Sequence, residues 1–244
     1  MAKYGLIGSN ISFSFSKTFF TTKFEIENNR TDSYDNFDVS SISKLKEIIA
    51  EHSDLKGLNV TIPFKESVIP LLDRVDKEAK KIGAVNTIKI LRDGKLVGYN
   101  TDHYGFAKAV SNFLPIKEKT ALILGTGGSS KAIAFVLEAM GFDYQFVSRT
   151  KTETNLVYNE LTKNILLDHC LIVNCTPLGT FPNVSEFPNI PYQFLTRDHL
   201  LFDLIYNPRE TEFLKMGHAK GARVANGFKM LEYQAKKSWS IWKS

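Results

Sequence analysis

The chain has 244 residues, with 31 Lys plus Arg against 26 Asp plus Glu (a formal net charge of +5), 43% hydrophobic residues and two cysteines. That balance excludes a disordered chain, a collagen-like repeat and a disulfide scaffold, and it leaves room for one large domain or two smaller ones. No apolar run reaches the roughly 18 residues of a bilayer span, and the polar start Met1-Ala2-Lys3-Tyr4 has no signal-peptide pattern, so the expectation is a cytoplasmic protein without a membrane partner.

In chain order, Lys3 to Gly8 reads as a strand, Lys17 to Asn28 as a helix, Ser33 to Val39 as a strand and Ile42 to His52 as a helix, with Ile42, Leu45, Ile48 and Ile49 on one stripe. Leu58 to Ile62 is a strand, followed by two short helical stretches, Lys65 to Leu72 and Asp76 to Ile82. Val85 to Leu91 and Leu96 to Tyr99 form a hairpin around Asp93-Gly94. These elements make residues 1–101 an α/β unit of their own. A helical stretch from Tyr104 to Phe113 leads into a second texture: a strand, Ala121 to Leu124, a glycine turn, a helix, Ser129 to Met140, and a strand, Tyr144 to Val147. This is a βαβ unit, and Leu171 to Asn174 and Leu200 to Ile205 extend its parallel sheet. A last helix, Phe228 to about Trp239, reads as a return to the first unit. The expected division is therefore 1–101 with 225–244, and 102–224.

Gly125-Thr-Gly127-Gly128-Ser-Ser130 sits between that strand and helix, where glycines permit a tight turn and close approach of backbone to a pyrophosphate. Ser130 stands where the strict dinucleotide pattern has its third glycine. After the next strand an NAD enzyme places Asp or Glu against the ribose 2′-hydroxyl. Here the chain has Ser148-Arg149-Thr150-Lys151, where the Arg149 fork can grip a 2′-phosphate, Thr150 can add a hydroxyl and Lys151 adds charge. NADP is the expected cofactor.

The lysines show no basic stripe interleaved with aromatics; Lys77, Lys80 and Lys81, like Lys236 and Lys237, read as solvated helix faces, and no nucleic-acid partner is expected. Cys170 and Cys175 lie on a strand-like segment that points them to opposite faces, and the five histidines have no ligand spacing. No metal site is expected.

Further segments carry polar residues at strand ends: Gly57-Leu-Asn59-Val-Thr61-Ile-Pro63-Phe-Lys65, Gly83-Ala-Val-Asn86-Thr87, Asn100-Thr101-Asp102, Asn174-Cys-Thr176-Pro-Leu-Gly179, Asp203-Leu-Ile-Tyr206-Asn-Pro208 and Asn226-Gly227-Phe-Lys-Met230 through Gln234-Ala235. In this order and spacing, over nearly the whole chain, they resemble the shikimate dehydrogenase family. The resemblance implies an N-terminal α/β substrate-binding domain plus a Rossmann-type NADP-binding domain, and NADPH-dependent reduction of the C3 ketone of 3-dehydroshikimate to shikimate, a step toward aromatic amino acids. It implies Lys65 and Asp102 as the catalytic pair. Ser14 and Ser16 would take the substrate carboxylate, and Thr61, Asn86 and Gln234 the ring hydroxyls, with Tyr206 helping to close the pocket. It assigns Gly125, Gly127, Gly128, Ser148, Arg149, Thr150, Lys151, Thr176, Gly227 and Met230 to the cofactor, with Met230 near the nicotinamide. Ser14 and Ser16, two apart, would show both hydroxyls on one side of an extended segment. The alternative there is a strand with Phe13 and Phe15 inward. Phe13 and Lys17 depart from the family's usual His and Pro, and Ser148 from its usual Asn. Lys65 acts either as general acid or as a fixed charge while a proton arrives through Asp102 or water. A quinate/shikimate dehydrogenase of broader specificity and a non-catalytic NADP- or shikimate-binding homologue are the competing readings, and the assembly is a monomer or a homodimer.

Overall fold

The computed structural model describes residues 2–12 and 14–244. The chain divides into two compact units, Met1–Thr101 with Gln234–Ser244, and Asp102–Tyr233.

The first unit runs β1 (Lys3–Gly8), α1 (Phe15–Ile26), β2 (Ser33–Asp38), α2 (Leu45–Glu51), β3 (Leu55–Val60), β4 (Arg74–Val75), α3 (Lys77–Ile82), β5 (Thr87–Ile90) and β6 (Leu96–Tyr99). Its sheet has the order β2-β1-β3-β5-β6-β4. β1 is parallel to both β2 and β3, whereas β5 runs antiparallel to β3 and β6. Tyr4 and Leu6 pack with Phe20, Phe24, Tyr34 and Trp242 in one cluster, while Ile7, on the other face of β1, packs with Leu45, Leu58, Val60 and Ile88. Burial on both faces is why β1 reads as nearly continuous apolar sequence.

Several elements differ from the sequence expectation, two of them near the residues of interest. Helix α1 starts at Phe15, capped by Ser14, rather than at Lys17. Between Lys65 and Leu72 only a single 3₁₀ turn, Ile69–Leu71, forms; Pro70 withholds a backbone donor and blocks a regular helix through the segment.

The second unit runs α4 (Asp102–Val110), β7 (Thr120–Leu124), α5 (Gly128–Ala139), β8 (Asp143–Ser148), β9 (Asn155–Val157), α6 (Lys163–Asp168), β10 (Leu171–Asn174), β11 (Leu200–Asp203), α7 (Glu212–Ala219) and β12 (Arg223–Ala225). Its sheet is parallel throughout, in the order β12-β11-β10-β7-β8-β9, so the winding direction reverses between β7 and β10. That is the doubly wound order, in which ligands gather beyond the carboxyl ends of the strands at the reversal. One face buries Ala121, Ile123 and Val173 beneath Phe106 and Ile133; the other buries Leu122, Leu124 and Ile172 beneath Leu166 and Phe213. The last helix, α8 (Phe228–Lys243), belongs to the second unit as far as Tyr233 and to the first from Gln234, so the return falls inside a helix rather than at 225.

No helix among the described residues is long and apolar enough to cross a membrane. No group of three or more His, Cys, Asp or Glu among them could hold a metal ion.

Candidate functional site

In the second unit the reversal point brings two loops together. Gly125 leaves β7 at φ +106, a left-handed conformation that favours glycine. A Cβ there would lie 3.4 Å from both Ser130 Oγ and Thr176 Cγ2, so a side chain at this position would fill the space between the start of α5 and the loop after β10. Gly127 caps α5 with open space around it. Ser130 is fully buried in the first turn of α5, and its Oγ has no hydrogen-bond partner among the described residues. A helix N-terminus, a glycine cradle and an orphaned hydroxyl suit the pyrophosphate of a dinucleotide. The Gly125 amide donates to the Val147 carbonyl at 2.8 Å, which ties this cradle to the end of β8 just before Ser148-Arg149-Thr150-Lys151. Arg149 and Thr150 are exposed. The Lys151 ammonium instead donates to both Glu160 carboxylate oxygens, at 2.9 and 2.7 Å. Burial pushes the Tyr158 hydroxyl up to about 12, with the nearby Arg149 guanidinium pulling the other way.

A second network fixes the loops after β10 and β11. Asp203 is fully buried and accepts from Asn174 Nδ2 at 3.0 Å, Ile205 N at 3.0 Å and Thr211 Oγ1 at 2.6 Å. Burial pushes its carboxyl up to about 6 against the opposing effect of these donors. Asn174 Oδ1 in turn accepts from the amide and hydroxyl of Thr176, at 3.0 and 2.7 Å. Asp203 therefore orders both the Thr176 loop and the loop that carries half-buried Tyr206. Gly227 lies where a Cβ would stand 2.0 Å from the Leu204 carbonyl oxygen, so no larger residue fits. Met230 is buried within the core of this unit with Phe106 and Phe202.

In the first unit, Asn86 is 3% exposed and its amide bridges Thr101 and Gln234: Nδ2 donates to Thr101 Oγ1 at 3.0 Å and to Gln234 Oε1 at 3.4 Å, and Oδ1 accepts from Thr101 N at 2.6 Å. Thr87, Ser238 and Asn59 extend the network, and Tyr34 closes it by donating to Asn59 at 2.9 Å. Lys65 follows β3 on a turn anchored by buried Phe64, and its carbonyl accepts from Val85 N at 2.7 Å. Thr61 begins that turn, with its amide donating to the Ile7 carbonyl at 3.0 Å. Asp102 is 6% exposed and opens α4 in the second unit, directly after Thr101.

The extended arrangement expected for Ser14 and Ser16 is not observed. The chain turns helical at Phe15, so Ser14 is the N-cap and accepts from Ser16 N at 3.3 Å, while Ser16 lies inside the first turn and is 8% exposed. A serine hydroxyl competes well for the open amides of a helix start, and here that outweighs strand alternation. Phe13 lies outside the described residues, and Lys17 reaches Asp35 at 3.1 Å.

A family model described as the shikimate dehydrogenase substrate binding domain matches residues 6–88. A shikimate dehydrogenase (NADP(+)) of Clostridium beijerinckii is 38% identical over 258 aligned positions, covering 99% of this chain and 92% of that one. The chain belongs to the shikimate dehydrogenase family. The crystal structure of shikimate dehydrogenase 1 from Peptoclostridium difficile matches at 40% identity and a TM-score of 0.89, covering 100% of this chain and 92% of that one. A shikimate 5-dehydrogenase from Thermus thermophilus, solved with NADP(H) and shikimate, matches at 30% identity and a TM-score of 0.86, covering 99% and 93%.

The structure also shows buried polar residues around Asn86 and Gln234 to which sequence reading gave no role. Thr87, Thr101 and Ser238 hold Asn86 and Gln234 in place. Ser238 carried a signal, since it falls one helical turn after Gln234 on α8. Asp203 opens one of the segments singled out in the sequence, but nothing there pointed to its burial or to its bond with Asn174.

Proposed function

We propose that this chain is an NADP-dependent shikimate dehydrogenase that reduces 3-dehydroshikimate to shikimate. The observation that carries the reading is the conjunction, in the second unit, of the Gly125–Gly128 cradle at the α5 N-terminus with exposed Arg149 and Thr150 immediately after the adjoining strand. A guanidinium in that place recognises a 2′-phosphate, and the two residues after Val147 are Ser148 and Arg149 rather than the Asp or Glu of an NAD enzyme. Gly125, Gly127, Gly128 and Thr176 hold the pyrophosphate side, Ser148, Arg149, Thr150 and Lys151 form the adenosine-phosphate turn, and Gly227 and Met230 support the nicotinamide side.

When bound, NADPH supplies a hydride to the ketone carbon. Negative charge then builds on the carbonyl oxygen, which requires a positioned cationic donor. Lys65 Nζ fills that role and passes its proton to the developing alkoxide, with the Asp102 carboxylate as its partner in the catalytic pair. Asn86 and Gln234, presented by the buried network around Thr101, orient the ring hydroxyls together with Thr61. Ser14 and Ser16 take the carboxylate from the first turn of α1, and Tyr206 covers the ring.

The test is formation of reduced nicotinamide, followed by absorbance, with shikimate or quinate crossed against NADP⁺ or NAD⁺. Turnover confined to shikimate with NADP⁺ is the expected result. Comparable turnover with quinate marks a broader dehydrogenase, and silence in all four combinations from folded protein overturns the enzymatic reading.

A further inference from the structure

The turn that carries Arg149 is built unusually. Strands β8 and β9 are parallel neighbours, with Phe146 opposite Asn155 and Ser148 opposite Val157, yet residues 149–154 alone connect them. Parallel neighbours ordinarily need a crossover of about a dozen residues or more, most often a helix whose packing fixes the loop before it. Here no helix intervenes, and Arg149, Thr150, Lys151, Thr152, Glu153 and Thr154 are all exposed.

A side chain takes over the task. Asn155, the first residue of β9, is 6% exposed and sits inside the turn. Its Oδ1 accepts from Thr152 N at 2.7 Å and from Thr152 Oγ1. Its Nδ2 donates to Ser148 Oγ at 2.8 Å, to the Thr150 carbonyl at 3.0 Å and to the Leu156 carbonyl at 2.8 Å. Ser148 Oγ donates to the same Thr150 carbonyl at 2.6 Å. The Ser148 side chain and the Thr150 backbone, on either side of Arg149, are thus held from one amide group. Beyond it, Lys151 is drawn to Glu160, which also accepts from Val157 N at 2.9 Å and so fastens the turn to the end of β9.

We infer that Asn155 is a positioning residue for discrimination between phosphorylated and unphosphorylated dinucleotides: its grip on Ser148 and Thr150 replaces a crossover helix and presents the Arg149 guanidinium and Thr150 hydroxyl to a 2′-phosphate. The inference rests on the NADP reading given above. Asparagine suits this place because the turn asks for an acceptor on one side and a donor on the other. An aspartate keeps the Thr152 contacts but sets a carboxylate against Ser148 Oγ and two carbonyls.

The experiment measures dissociation constants of NADPH and NADH by fluorescence titration, together with steady-state constants, for the parent protein and for Asn155→Ala, Asn155→Asp, Arg149→Ala and the Asn155→Ala/Arg149→Ala double variant. Both Asn155 variants should bind NADPH about tenfold or more weakly, with NADH binding and kcat at saturating NADPH within about twofold of the parent, as for loss of a charge-assisted contact to one phosphate. In the Arg149→Ala background the Asn155→Ala change should add less than about threefold, because the residue through which it acts is gone. A parallel loss of NADPH and NADH binding in both variants, or no loss in either, or full additivity in the double variant, overturns the inference. A parent protein that binds NADH as tightly as NADPH overturns the cofactor reading itself, which the parent's two constants reveal before any variant is compared.

Discussion

Lys65, Gln234 and Asp203 illustrate three different demands on a single side chain. Lys65 sits on a turn whose backbone is pinned by Phe64 and by the bond from Val85, so truncating its side chain removes a cation and leaves the scaffold intact. Lys65→Ala should lose about two to three orders of magnitude in kcat, the scale for removal of one positioned donor to a developing oxyanion, with NADPH affinity unchanged in a fluorescence titration. Gln234 is 9% exposed and shares the Asn86–Thr101 network, so Gln234→Ala removes an uncharged hydrogen-bonding group. The expected effect is about a three- to tenfold rise in KM for shikimate with little change in kcat; an unchanged KM would assign Gln234 to packing alone. Asp203 carries a buried carboxyl raised to about 6 from 3.8. The folded protein keeps this proton at pH values where the unfolded chain has released it. The resulting stabilisation is full below about pH 4 and is lost as pH rises through about 6, a difference on the order of 3 kcal/mol. Asp203→Asn abolishes that titration, so the melting temperature of the parent minus that of the variant should be larger at pH 4 than at pH 7. A difference independent of pH would show that the carboxyl is not raised.

At the scale of elements, packing constraints are sharpest where α8 begins. A Cβ on Gly227 would meet the Leu204 carbonyl at 2.0 Å, and the Gly227 amide donates to the Ile205 carbonyl at 2.9 Å, so neither backbone can yield without breaking the other's bond. Gly227→Ala should cost about 1–3 kcal/mol, the usual range for overpacking, read as a lowered thermal midpoint. The elements legible in the sequence are those with either strong periodicity or strong punctuation. β7, α5 and β8 are marked by apolar strands around a glycine turn, and the β5–β6 hairpin by Asp93-Gly94. β9, α6, α7 and β12 escaped because each is too short, or too dependent on its neighbours, for a pattern to develop. The stretch from Lys65 to Leu72 misled for a different reason: its apolar spacing suits a helix, but Pro70 stands inside it. Ser14 and Ser16 misled because alternation and capping predict opposite geometries from the same two serines, and the helix start won.

For the whole molecule, the sequence carried the division into two α/β units, since the texture changes after residue 101 and the glycine turn announces the second sheet. It did not carry the position of the return, which falls at Gln234 within a continuous helix, where no proline or glycine marks a boundary. The residues proposed for the site, Lys65, Asn86, Asp102 and Gln234 among them, stand in motifs that the sequence displays. The contacts that Thr87 makes with Ser238, and Asp203 with Asn174, became visible only in the folded chain, because they join residues distant in sequence. The central claim is that this chain reduces one particular ketone with one particular cofactor. The most direct measurement is to incubate purified protein with 3-dehydroshikimate and NADPH, following loss of reduced nicotinamide while identifying the product by mass spectrometry. The account predicts one shikimate formed per NADPH consumed, with NADH a poor substitute and Lys65→Ala nearly inactive. No consumption by folded, NADPH-binding protein, or a product other than shikimate, would contradict it.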